Sequence, residues 1–161
     1  MSTALGYARG VNPLTDEEMA LWIEWKRASE NVRAAVAADI QEATGLSDPD
    51  FGVLTRVVEL GGGQLRQNQL ADSMGWHRSR LSHHLSRMEQ RGLVQRQDAT
   101  GGGVDVLVTD AGRAAVIGAR PVHAEAVRRH LLEPLAPEQL EALRTILPAL
   151  AAMRAASGDG S

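Results

Sequence analysis

Along residues 16–44 the apolar positions Leu21, Trp25, Ala28, Val32 and Ala35 recur three and four apart, the spacing of one helix face. Thr15 and Glu18 make a capping box at its start, and Gly45 supplies a stop at its end. Ser47, Pro49 and Asp50 open a second helix with the stripe Phe51, Leu54, Val57 and Val58. Gly61-Gly62-Gly63 closes it. That run lacks the Gly-Lys-Ser/Thr tail of a phosphate loop and reads as a turn.

Leu65 to Met74 reads as a short helix with Leu70, Ala71 and Met74 inward, closed by Gly75. From Arg78 to Arg91 the apolar stripe is Leu81, Leu85 and Met88. The opposite face carries Ser79, Arg80, His83, Ser86, Arg87 and Gln90. Gly92 ends that helix. Leu93–Arg96 predicts a strand, residues 98–103 a glycine-rich turn, and alternating Val104, Val106 and Val108 the return strand. Thr109 or Asp110 starts a further helix that Pro121 should kink or break. Pro137 starts a last helix that Pro148 should bend. Residues 157–161 read as a disordered tail.

Composition adds bounds. The chain has 161 residues, 43% of them hydrophobic and 23% charged, which fits one ordinary globular domain over 1–161. No apolar run approaches the ~20 residues of a membrane helix. The N-terminal residues hold no apolar signal segment. With no cysteine there is no disulfide and no thiolate zinc site. A cytoplasmic location is the expectation.

Charge changes the picture more. The chain carries a net −3, yet residues 66–96 hold Arg66, Arg78, Arg80, Arg87, Arg91 and Arg96 against Asp72 and Glu89 alone, a local +4. Screening confines charge effects to about 8–10 Å, so a polyanion meets the local field.

The element order is helix, turn, helix and hairpin: a mainly α fold with a small β-hairpin wing, a winged helix-turn-helix. The helix over 78–91 would enter a major groove. Arginine can bond guanine with two donors, and serine and histidine can bond bases or phosphates. Arg78, Ser79, Arg80, Ser82, His83 and Arg87 are the candidate contacts on that helix. Gln67, Asn68 and Gln69 could reach phosphate from the preceding helix. Arg91 and Arg96 are candidate positioning contacts to the backbone.

LADSMGWHRSRLSHHLSRMEQRGLV (70–94), the hairpin, and LVTDAGR (107–113) together resemble the MarR (multiple antibiotic resistance regulator) family. QEATGLSDPDFGVL (41–54) and APEQLEAL (136–143) are similar to its actinobacterial members. The resemblance spans about 16–155 and implies a homodimer. Residues 16–44 and 110–155 would be the dimerisation helices, and 47–108 the lobe that binds a pseudo-palindromic operator in double-stranded DNA. It implies a transcriptional regulator, read here as a repressor, with no cofactor. It also implies a pocket for a small aromatic or phenolic effector, with Trp25, Phe51 and Leu54 as candidate lining. Three positions depart from the family pattern. The wing tip DATGGG has no arginine where the family carries Asp-x-Arg. His77 stands at a helix N-cap, and Ala136 replaces a capping hydroxyl.

Other classes fit less well. The sequence holds no nucleophile elbow, metal helix or phosphate loop, which argues against an enzyme. A winged helix used only on protein or RNA would not need the Arg/Ser/His row. His83 and His84 point about 100° apart and cannot share a metal. His123 and His130 share a helix face, where an interface or solvent role outranks a metal site.

Overall fold

The computed structural model describes residues 12–156, with side chains through residue 152. The expected tail at 157–161 lies outside them. The described residues form α1 (Asp16–Thr44), α2 (Asp48–Gly61), β1 (Gln64–Arg66), α3 (Gln67–Met74), α4 (Arg78–Gln90), β2 (Val94–Asp98), β3 (Val104–Val108), α5 (Asp110–Val127) and α6 (Pro137–Ala156). The chain divides into two compact units after Ala34, inside α1.

The first unit is the N-terminal part of α1. Thr15 N donates to Glu18 Oε2 and Glu18 N to Thr15 Oγ1, the expected capping box. Met19, Leu21, Trp22, Ile23 and Trp25 are all exposed on this segment.

The second unit holds the winged lobe. Ser47 caps α2 in a reciprocal box with Asp50, as the sequence pattern predicted. Phe51, Leu54 and Val57 from α2, Leu70 and Ala71 from α3, and Leu81, Leu85 and Met88 from α4 bury together with Val94, Val106 and Val116. The stripes assigned from periodicity to α2, α3 and α4 therefore supply the core, whereas Leu21 and Trp25 of the α1 stripe are exposed.

The sheet has three antiparallel strands in the order β1-β3-β2, where two were expected. Leu65 pairs with Val106, and Arg96 with Val106 from the other side. The segment read as the start of a helix at Leu65 is thus a strand, and α3 begins at Gln67. Three residues are too few to display a period of two; β1 exists because β3 offers it an edge.

The local break that was one expected outcome at Pro121 does not occur. α5 runs unbroken through Pro121. Pro121 is exposed, so water can satisfy the Ile117 carbonyl that loses its donor. The irregularity comes later, as one π-helical turn at Arg128–Leu132. α6 is likewise continuous through Pro148. At its start Gln139 Oε1 accepts from Ala136 N at 2.8 Å, the side-chain-to-cap half of a capping box whose hydroxyl half Ala136 cannot supply.

Among the described residues, α1 buries only Ile40 and α6 buries none. Ile146, Leu147 and Leu150 stand exposed on α6. No helix among the described residues is long and apolar enough to cross a membrane.

Candidate nucleic-acid interface

The site is built on α4. Leu81, Leu85 and Met88 are fully buried, which fixes the helix's rotation about its axis. Arg78, Ser79, Arg80, His83 and Arg87 are consequently exposed on its outer face. His77 caps α4 in conformation only; its side chain bonds no first-turn N–H. Among the described residues, Arg78, Ser79, Arg80 and His83 make no side-chain hydrogen bond or ion pair, so their donors are unspent.

The remaining arginines of this region separate into a different group. Arg96 on β2 donates from Nε to Glu89 Oε2 at 2.8 Å and from Nη2 to the same oxygen at 2.5 Å. Its Nη2 also meets Ser86 Oγ at 2.9 Å, and its Nη1 meets Ser82 Oγ at 3.4 Å. The backbone N of Arg96 donates to Glu89 Oε1 at 2.8 Å. Arg96 is therefore a brace between the wing and α4, not the free phosphate contact the sequence suggested. Ser82 is half-buried and partly committed to the same brace.

Arg91 pairs with Asp50 Oδ2 at 2.6 Å, so it too is spent inside the lobe. Arg66 bonds the wing tip, to Thr100 O at 2.8 Å and Gly102 O at 3.0 Å, and pairs with Asp105 at 3.3 Å. Of the six arginines, Arg78, Arg80 and Arg87 carry the uncompensated field. Charge counting could not see this, because each acidic partner is remote in sequence or lies on the opposite side of an element.

The wing tip turns on Gly101, Gly102 and Gly103, with φ of 85°, 91° and 88°. Three successive left-handed residues disfavour any side chain at Gly101, Gly102 or Gly103. Gln67, half-buried at the start of α3, borders a groove with Ser82, Arg96 and Gln97. Asn68 and Gln69 are exposed beside it.

His84 is buried behind the exposed row. Arg87 Nη2 lies 3.1 Å from its Nδ1, which assigns the ring proton to Nε2. Nε2 sits 3.1 Å from Asp50 Oδ1, off the line of a hydrogen bond. Burial, and the charges of Arg87 and Arg91, hold the His84 pKa below its ordinary 6.5 despite Asp50. For Asp50, burial pushes upward, but hydrogen bonds from Arg91 and Ser47 outweigh it and leave the carboxyl below its ordinary 3.8. Arg96 lowers Glu89 from 4.5 against a smaller burial effect.

All three shifts act in one direction. Each folded-state pKa is depressed, so each contribution is complete above the unfolded value and is lost on acidification. Stability should fall first as pH drops below about 6.5, where the unfolded His84 takes a proton that the folded one resists, and again below about 4.5. Urea midpoints at pH 7.5, 5.5 and 4 measure this; a midpoint that rises on acidification would contradict it.

The effector-pocket candidates do not share one environment. Leu54 is fully buried in the lobe core. Phe51 lies with its ring centroid 5.2 Å from that of His123. The two border an open concavity of 520 Å³ with Thr55, Arg56 and Arg120. Trp25 belongs to the first unit and is 43% exposed. His130 Nε2 meets Asp39 at 2.9 Å, so His123 and His130 face different partners.

An exposed polar helix on a buried stripe, a preceding short helix across a turn, and a three-stranded wing define a winged helix-turn-helix protein. The chain is 30% identical to AbsC, a MarR family transcriptional regulator from Streptomyces coelicolor, over 90% of this chain and 99% of that one, with a TM-score of 0.77. The chain belongs to the MarR family. Sco3205, a MarR family regulator from the same organism solved in complex with DNA, is 29% identical over 89% of this chain and 91% of that one, at a TM-score of 0.79. The organohalide-sensing regulator RdhR-CbdbA1625, in its 2,4-dichlorophenol-bound form, is 18% identical and shares the fold at a TM-score of 0.73, over 91% of this chain and 89% of that one. Residues 45–99 match a family described only as a domain of unknown function (DUF7343). No curated protein matches by sequence.

Proposed function

We propose that the chain is a homodimeric repressor that binds a pseudo-palindromic operator and is released by a small effector. The observation that carries this reading is the exposed row Arg78, Ser79, Arg80, His83 and Arg87 on α4, free of acidic partners among the described residues and held outward by Leu81, Leu85 and Met88. The solved DNA complex of Sco3205 supports the same use of the fold. The exposed apolar residues of α1 and α6 are the surfaces a second copy would cover, because long helices with unpartnered apolar stripes need one. The proposed organisation is therefore dimerisation helices at 16–44 and 110–155 around a lobe at 47–108.

The effector would be a small aromatic or phenolic compound. The concavity beside Phe51 and His123 supports that reading, and the dichlorophenol bound by RdhR-CbdbA1625 is a precedent within the fold. Ligand release of DNA then requires a difference in effector affinity between the two states.

Two variants test the assignment by their contrast. Arg80→Ala should weaken operator binding by about 1–3 kcal/mol, if the arginine makes a bidentate base contact, and leave thermal stability unchanged. Arg96→Ala should lower stability by about 1–2 kcal/mol, the order of a charge-assisted hydrogen-bond set. Its effect on DNA should be secondary, through a loosened wing. Fluorescence anisotropy on a duplex selected by the wild type, with melting curves of each variant, separates the two. An Arg80→Ala protein with wild-type affinity and specificity would contradict the reading.

A further inference from the structure

Trp76 lies between α3 and α4, half-buried, with its ring packed against the lobe core. Its backbone N donates to Ala71 O at 3.0 Å. The Arg80 guanidinium carbon sits 4.1 Å from the indole centroid. A stacked guanidinium uses its face on the ring and keeps its in-plane N–H groups free. Those in-plane donors are the ones that read a guanine with two bonds. Arg80 makes no hydrogen bond among the described residues, so they remain available.

The indole is itself braced. His84 meets it edge to face, with centroids 5.6 Å apart at 88°. His84 is buried, and its Nδ1 is the acceptor for Arg87 Nη2. The charged groups that face His84 are Asp50 from α2, Arg87 from α4, and Arg91 just past the end of α4. One aromatic pair thus touches two of the three arginines left without an ion pair. An arginine free in solvent loses rotamer freedom when it binds, and one already stacked loses less.

We propose that Trp76 is a positioning residue for operator recognition: its indole, backed by His84, holds Arg80 ready to read a base edge, and the same histidine steadies Arg87. This rests on the operator-binding reading above. A leucine at position 76 keeps an apolar side chain against the core but gives a cation no π face. A phenylalanine would keep a π face.

The test uses the full chain and a duplex that the wild type selects from a random pool. Dissociation constants are measured for that duplex and for a scrambled one of equal length, at one salt concentration. Trp76→Leu should lose about five- to tenfold on the selected duplex and stay within about twofold on the scrambled one. Trp76→Phe should keep most of the discrimination. In an Arg80→Ala background, Trp76→Leu should have no further effect on the ratio, because the residue it serves is gone. The proposal is overturned if Trp76→Leu discriminates as the wild type does, or if it lowers the ratio equally with and without Arg80. A wild type that selects no duplex removes the operator-binding reading itself, a distinct outcome.

Discussion

Gly112→Ala should unfold the lobe or come close to it, although alanine is the better helix former by about 1 kcal/mol. Gly112 lies in the first turn of α5. A Cβ there would collide with the Leu93 carbonyl and press on Val108 Cγ1. The carbonyl cannot retreat. It accepts from Thr109 N at 3.2 Å, and the one Thr109 hydroxyl proton is shared between Gly92 O at 2.6 Å and Leu93 O at 3.1 Å. Thr109 in turn caps α5 through Gly112 N. The joint fixes the start of α5 against the end of the recognition helix and the start of the wing. Overpacking against fixed backbone should cost roughly 3 kcal/mol or more, a large part of a small domain's stability. Urea unfolding checks this. A variant as stable as the wild type would mean that the joint tolerates a shift that its hydrogen bonds oppose.

Asp50→Ala should produce the next largest loss, about 2–3 kcal/mol, from a position that touches no DNA. Asp50 is 1% exposed. It accepts from Ser47 N at 3.1 Å and Arg91 Nη1 at 2.6 Å, and lies beside His84. Removal ends the capping box of α2 and leaves Ser47 N without its partner. Arg91→Ala should be milder, since Arg91 is half-exposed and its partner keeps the Ser47 bonds. The order Asp50→Ala worse than Arg91→Ala, read from urea midpoints, is the expected result; the reverse order would show that the cap contributes little.

The helices and the exposed polar face of α4 were visible in the sequence because each rests on local rules. Leu81, Leu85 and Met88 define a stripe, and a stripe defines its opposite face. Ser47 with Asp50 announces a helix start without help from the rest of the chain. What escaped was set by distant partners. β1 needs β3, which lies forty residues on in the chain. Arg96 was read as a contact to phosphate because the sequence cannot show that Glu89 lies beneath it. Trp76 drew no assignment from the sequence, since neither Arg80 over its ring nor His84 at its edge leaves a spacing signal. Leu54, offered as pocket lining, is fully buried in the lobe core, where α3, α5 and the sheet pack on α2. Pro121 did not break its helix because a missing N–H matters little where solvent can replace it.

On the proposed reading, α4 presents three arginines without an ion-pair partner to duplex DNA, twice over in a symmetric pair. Selection of bound duplexes from a random pool tests it most directly. The account predicts an inverted repeat, with half-sites about one helical turn apart and affinity that falls with salt at a logarithmic slope of about −5 for six neutralised phosphates. Recovery of no common sequence, or of a single unrepeated site bound without salt dependence, would contradict it.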